Sequence, residues 1–209
     1  MDSRPVHVFV FDTLADWEYG YAVAGINNPS FQIHPGRYRV ETVAMSPNPV
    51  TTIGGMRLVP DTTLDGLDPS RSAMLMLPGG ELWDQGGNVE AAEMARVFLD
   101  AGVPVAAICG ATAGLARAGL LDGSRHTSNA REYIAATGYR GTALYQEEPA
   151  VTDGDLITAS STAPLDFAYH IFRRLDLYPE ATLEAWYGLF RTGDPAYFSA
   201  LLQASAEAH

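Results

Sequence analysis

The chain contains no lysine; all 13 of its basic residues are arginine. This excludes a lysine Schiff base, a lysine general base and a Walker-type phosphate lysine. Cysteine is nearly absent as well. The single Cys109 can form no internal disulfide and no zinc site built from several thiolates. Positive charge is scarce: 25 acidic residues outweigh the arginines and give a net charge of −12. That balance argues against nucleic-acid binding and against a polybasic membrane surface. No apolar run approaches the roughly 18 to 20 residues of a membrane span. The start, Met1-Asp2-Ser3-Arg4-Pro5, leads into a short apolar run without the features of a signal peptide. The expectation is a soluble, cytoplasmic protein. No His/Asp/Glu spacing suggests a metal, and no cofactor is expected.

What is present is a regular alternation. Val6–Phe11, Tyr38–Met45, Ala73–Leu77 and Val103–Ile108 read as strands, three of them continuously apolar. Helical stretches fall at Asp16–Asn27, Asn88–Ala101, Ala111–Leu121, Arg131–Thr137 and Ala163–Leu175. Small hairpins are expected over Thr51–Val59 and Val151–Ala159, and a short strand over Arg125–Ser128. Apolar strands separated by helices imply a mostly parallel sheet covered on both faces. The chain reads as one domain over 1–209, with a core of about 5–175 and a helical extension over 176–209. Trp186, Tyr187, Phe190, Tyr197 and Phe198 recur at helical spacing in that extension. Their first role is packing, and an exposed fraction would suit a dimer interface.

Cys109 stands at the carboxyl end of the fourth strand, before Gly110-Ala111-Thr112-Ala113-Gly114. Ligands bind open α/β sheets at that end. Small residues on both sides permit a sharp strand-to-helix turn of the nucleophile-elbow kind. The helix amino terminus would favour thiolate over thiol. The bland alternative is an inert buried thiol. Leu77-Pro78-Gly79-Gly80 follows the third strand, and the amides of Gly80 and Gly110 are oxyanion-hole candidates. An ordinary Pro-Gly turn would look the same. Asp16 and Glu18 follow the first strand; either could reach the thiol, or simply begin a helix. His126 is the histidine best placed for a general base, against the alternative of a hydrogen-bonded structural residue. His7, His34 and His170 show no partner pattern.

These three segments, in this order, together with Asp155–Ala168, resemble the ThiJ/PfpI superfamily within the class I glutamine amidotransferase-like fold. The resemblance implies a flavodoxin-like three-layer α/β sandwich, a nucleophilic Cys109 and an acid paired with it. The family's acid often lies four residues before a Pro or Gly, which favours Asp16 (before Gly20) over Glu18. The resemblance also implies an oxyanion hole at Gly80 and Gly110, and commonly a homodimer. Gly110 replaces the histidine that follows the cysteine in the protease-like branch, which argues against a peptidase. The downstream His-x-Glu of glutaminases is missing: Ile171-Phe172 follow His170, and His209 is terminal. The expected activity is cysteine-dependent hydrolase or lyase chemistry on a small electrophilic molecule. The alternatives are a redox or stress-response sensor acting through oxidation of Cys109, and a non-catalytic binding domain.

Overall fold

The computed structural model describes residues 3–207; Met1, Asp2, Ala208 and His209 lie outside them. In chain order the strands and helices are β1 (Arg4–Phe9), α1 (Asp16–Asn27), β2 (Tyr38–Ala44), β3 (Val50–Thr51), β4 (Arg57–Leu58), β5 (Thr62–Thr63), β6 (Met74–Leu77), α2 (Glu81–Asp84), α3 (Val89–Asp100), β7 (Val105–Ile108), α4 (Gly110–Arg117), α5 (Arg131–Ala135), β8 (Ala150–Asp153), β9 (Leu156–Ala159), α6 (Pro164–Arg174), α7 (Glu180–Thr192) and α8 (Pro195–Glu207).

Seven strands form one sheet in the order β5-β2-β1-β6-β7-β9-β8. Every pairing is parallel except β8 with β9. β6, β7 and β9 are buried along their whole length, as continuously apolar strands must be when both faces are covered. Helices α1 and α6 pack together on the sheet, while α3 and α4 associate in a separate group. The result is the flavodoxin-like three-layer sandwich. The chain order reverses between β1 and β6, so the segments leaving β1, β6 and β7 emerge side by side at one end of the sheet. That end is where the reversal opens a crevice.

Two sequence-based expectations differ from the structure. Arg125–Ser128 is not a strand; it makes only an isolated bridge between His126 and Tyr145. Side chains occupy two of its backbone donors instead: Arg125 N–H donates to Asp153 Oδ2 and Thr127 N–H to Thr158 Oγ1. Two-residue β5 was not anticipated. It is held on β2 beside Asp61, whose carboxylate accepts from the amide and hydroxyl of Thr42.

In the C-terminal helices, Trp186 is buried edge-on against Tyr21, Phe172 and Tyr178. Gly188 receives the ring of Tyr197, which a Cβ would meet at 2.3 Å. Phe190 and Phe198 remain half exposed. Among the described residues, no helix is long and apolar enough to cross a membrane.

Candidate active site

Three adjacent strand ends assemble the site. β7 delivers Cys109, whose φ of 58° and ψ of −127° lie outside the regions L-residues ordinarily adopt. Such a conformation costs about 1–3 kcal/mol and persists only where its surroundings enforce it. The enforcement is visible on both sides. Cys109 N–H donates to Ala159 O on β9, and Cys109 O accepts from the amide and the hydroxyl of Thr112. Thr112 Oγ1 in turn lies 2.7 Å from Ser128 Oγ. The turn leads directly into α4, so the expected elbow is present.

The elbow helix also needs its small residues. Trp83 of α2 is fully buried, and its ring lies against Gly114, where a Cβ would meet it at 2.3 Å. The indole N–H donates to Pro78 O at 2.9 Å. Phe9 and Phe11 meet the same ring edge-on. One aromatic side chain therefore locks the Pro78-Gly79-Gly80 segment to the helix carrying the thiol.

Glu18, not Asp16, is the acid at the thiol. Its carboxyl shares a hydrogen bond with Cys109 and accepts from Gly79 N–H at 2.5 Å. Glu18 lies in the first turn of α1, and helical geometry sends residues two apart to different faces. Asp16 accordingly points toward the β3–β4 hairpin, where Oδ2 accepts from Gly54 N–H at 2.7 Å. The expectation of an Asp16–Cys109 pair is corrected in this respect. Spacing to the next glycine does not report which helix face looks inward.

His126 is also placed differently from expectation. It is fully buried, with Nδ1 2.8 Å from Ser124 O and Nε2 2.8 Å from Tyr139 Oη. A carbonyl only accepts, so Nδ1 carries the proton and Nε2 accepts from the tyrosine. Burial lowers its pKa and keeps it neutral. With both nitrogens engaged in this cluster, it offers no base to Cys109.

Asn129, three residues further on, does reach the thiol. Its Nδ2 lies 3.5 Å from Sγ, and its Oδ1 accepts from Ser161 N–H at 2.9 Å, which fixes the amide orientation. Tyr133 lies within electrostatic reach of the thiol and donates to Asp84 Oδ1 at 2.5 Å. Burial and Asp84 push its hydroxyl far above the usual range. Neither residue belongs to a sequence motif; Asn129 lies on the irregular segment before α5 and Tyr133 on α5 itself.

The electrostatics are those of a buried pair. Burial raises the Glu18 carboxyl from 4.5 to about 7, although Gly79 N–H and Cys109 pull it the other way. Burial, then the charge of Glu18, pushes the Cys109 thiol up to about 12, while Asn129 and the Gly110 amide favour the thiolate. The helix terminus alone therefore does not yield the low thiol pKa expected from position. Two groups this close titrate together. The first proton leaves the pair near 7, and the second is held to about 12 because it would leave two adjacent buried negative charges. In the singly ionised pair one proton lies between oxygen and sulfur. When the carboxyl holds it, sulfur is a thiolate receiving hydrogen bonds from Glu18, Asn129 and Gly110.

Among the described residues, no group of three His, Cys, Asp or Glu side chains could hold a metal ion. Gly79, rather than Gly80, is the glycine packed against the Cys109 side chain. Gly110 N–H is directed at Sγ, and Gly80 O lies 3.2 Å from where a Gly110 Cβ would stand.

The chain is similar to several known proteins. Two Bacillus subtilis (strain 168) proteins, named uncharacterized protease YoaZ and uncharacterized protease YdeA, are 38% and 30% identical. The first comparison covers 97% of this chain and 98% of the relative; the second covers 88% and 89%. The crystal structure of a ThiJ/PfpI family protein from Bacillus anthracis superposes with a TM-score of 0.92 at 38% identity over 98% of each chain. That of the DJ-1 superfamily protein Atu0886 from Agrobacterium tumefaciens gives 0.82 at 32% identity, over 91% of this chain and 98% of that one. The DJ-1/PfpI family model matches residues 4–174, from the first residue of β1 to the last of α6, and encloses the cysteine, its acid and the glycines between them. By sequence and fold alike, the chain belongs to the DJ-1/PfpI family.

Proposed function

We propose that the protein is a cysteine-dependent enzyme, a hydrolase or lyase acting on a small electrophilic molecule through Cys109. The observation carrying this reading is the strained Cys109 hydrogen-bonded to a buried acid whose pKa is raised to about 7. A general acid–base is most effective with a pKa near the working pH. The thiol proton passes to Glu18 as sulfur attacks an electrophilic carbon such as that of an amide, an isonitrile or an α-oxoaldehyde. The C–S bond forms, and for a carbonyl the π pair moves to oxygen, where the amides of Gly80 and Gly110 are the candidate donors. Glu18 then returns the proton to the adduct or its leaving group. Peptide-bond cleavage is disfavoured, because Cys109 has a carboxyl and an amide beside it where a peptidase needs an imidazole. A homodimer fits the half-exposed Phe190 and Phe198, and sedimentation measures it.

The test is mass spectrometry of the protein quenched during turnover with each substrate class. A covalent adduct on Cys109, absent in Cys109→Ala together with turnover, is the expected result. Full activity in Cys109→Ala on every substrate found would exclude the mechanism.

A second reading, oxidant sensing, is favoured by one observation: Cys109 is the chain's sole cysteine and is not fully buried. Without a second thiol in the chain, peroxide chemistry would proceed to sulfenic and sulfinic acids rather than an internal disulfide. Selective oxidation of Cys109 at low peroxide, with no turnover on any substrate class, would favour this reading over the first.

A further inference from the structure

Away from the thiol, the starts of β1 and β2 line a polar cavity of about 650 Å³ beneath the 66–72 loop. It contains Arg4, Arg39 and Arg71, three of the 13 arginines of an otherwise strongly acidic chain. The strands run parallel, so this cavity reaches the sheet end opposite to Cys109. Its size falls in the range of small-molecule sites.

The hydrogen-bonding inventory of the wall is unbalanced. The acids there are already engaged. Glu41 Oε1 accepts from Arg39, Glu41 Oε2 lies 3.4 Å from His7 Nε2, and Asp68 Oδ1 accepts from the amide and hydroxyl of Ser70. The donors are not. Among the described residues Arg4 uses one nitrogen, on Ser72 O at 2.7 Å, out of five N–H groups. Among the described residues Arg71 makes no side-chain hydrogen bond or close ion pair, and its charge reaches Asp68 only at longer range. Ser3 Oγ is buried there without a partner among the described residues.

His7 connects Glu41 to Ser72, whose Oγ lies 3.1 Å from Nδ1. This line resembles a serine–histidine–acid relay. Ser72 is wholly buried, however, and its Oγ also lies 3.0 Å from Asp68 O, so the line stiffens the wall and presents no nucleophile.

We propose that this cavity binds a small oxyanion, a ligand bearing a carboxylate or phosphate group, through the free donors of Arg71 and Arg4. A planar guanidinium pairs with such groups through two parallel hydrogen bonds. This site is distinct from the thiol site and does not depend on the reaction proposed there.

Calorimetric titration with inorganic phosphate and with succinate, at ionic strength held constant with potassium chloride, tests the proposal. One saturable site is expected for at least one of the two ions, and which ion binds identifies the ligand's head group. Arg71→Gln should weaken binding about tenfold or more, as for loss of a charged hydrogen bond. Arg4→Gln should act in the same direction. Both variants should keep the wild-type rate of Cys109 alkylation, which shows that they fold. Binding should also survive capping of Cys109 with iodoacetamide. No saturable heat with either ion at millimolar concentration, equal affinity in Arg71→Gln, or loss of binding on capping would each overturn the assignment.

Discussion

A Cβ placed on Gly79 would lie 2.6 Å from Cys109 Cβ, closer than real Cβ contacts come. The same Cβ would stand 2.7 Å from Glu18 Oε2, while Gly79 N–H is the donor that holds that carboxylate. Gly79→Ala should therefore separate acid from thiol. We expect a loss of about 1–3 kcal/mol in stability, the cost of overpacking a tight site. Alkylation of Cys109 should lose its inflection near pH 7. Urea unfolding and iodoacetamide kinetics measure the two effects; a variant with wild-type values in both would contradict the contact.

The pair makes its own prediction for wild-type reactivity. Alkylation of Cys109 should rise through pH 7 as the first proton leaves the pair, then level off. Glu18→Gln fills the same space but cannot exchange a proton. Its thiol then titrates alone in a partly desolvated position, so the inflection should move above the ~8.5 of a free cysteine. An unchanged inflection in Glu18→Gln would show that the acid does not share the thiol's proton.

Stability should follow the same proton with a definite sign. The Glu18 carboxyl is raised from 4.5 to about 7 on folding, so the folded state binds the proton more tightly than the unfolded chain. Its contribution is complete below pH 4.5 and is lost as pH rises through about 7. A shift of this size corresponds to about 3 kcal/mol. Comparing wild type with Glu18→Gln at pH 4.5 and pH 8 isolates the pair's contribution, because titrating groups away from the pair cancel. The variant should gain relative stability at the higher pH, and a difference that stays flat across the interval would refute the linkage.

Asn129 holds the sulfur with one end of its amide and the Ser161 backbone with the other. Asn129→Ala removes a donor to the thiolate, so alkylation at pH 7 should slow several-fold. Asn129→Asp should slow it further by adding a negative charge beside the pair. An alanine variant as reactive as wild type would remove Asn129 from the site.

His126 separates packing from chemistry. His126→Ala leaves the Tyr139 hydroxyl without its buried acceptor and should cost about 1–3 kcal/mol. Cys109 alkylation should stay within about twofold of wild type, since a residue with no contact to the thiol shifts its pKa little. A large fall in reactivity without matching instability would restore a catalytic role to this histidine.

The parts of the molecule that were legible in the sequence are those set by local pattern. α1 begins and ends where its residues indicate, the buried strands follow from uninterrupted apolar runs, and the elbow follows from glycine and alanine around one cysteine. Choosing between Asp16 and Glu18 was different in kind. Two acids in one helical turn are separated only by the direction the helix faces, which depends on docking against Gly79 and not on neighbours in the chain. Asn129 was hidden for a related reason. Arg125–Ser128 carries strand-like residues, but Arg125 and Thr127 give their amides to the Asp153 and Thr158 side chains, and no periodicity encodes such long-range exchanges.

Trp83 carries a last implication. Its indole touches Gly114 behind the thiol, bonds the carbonyl of Pro78 before the two glycines, and shares the aromatic cluster of Phe9 and Phe11 at the end of β1. The three segments that form the site are thus three walls around one ring. Loosening any of them exposes that ring to water, so the reactive centre inherits the cooperativity of the core and has no separate melting step of its own.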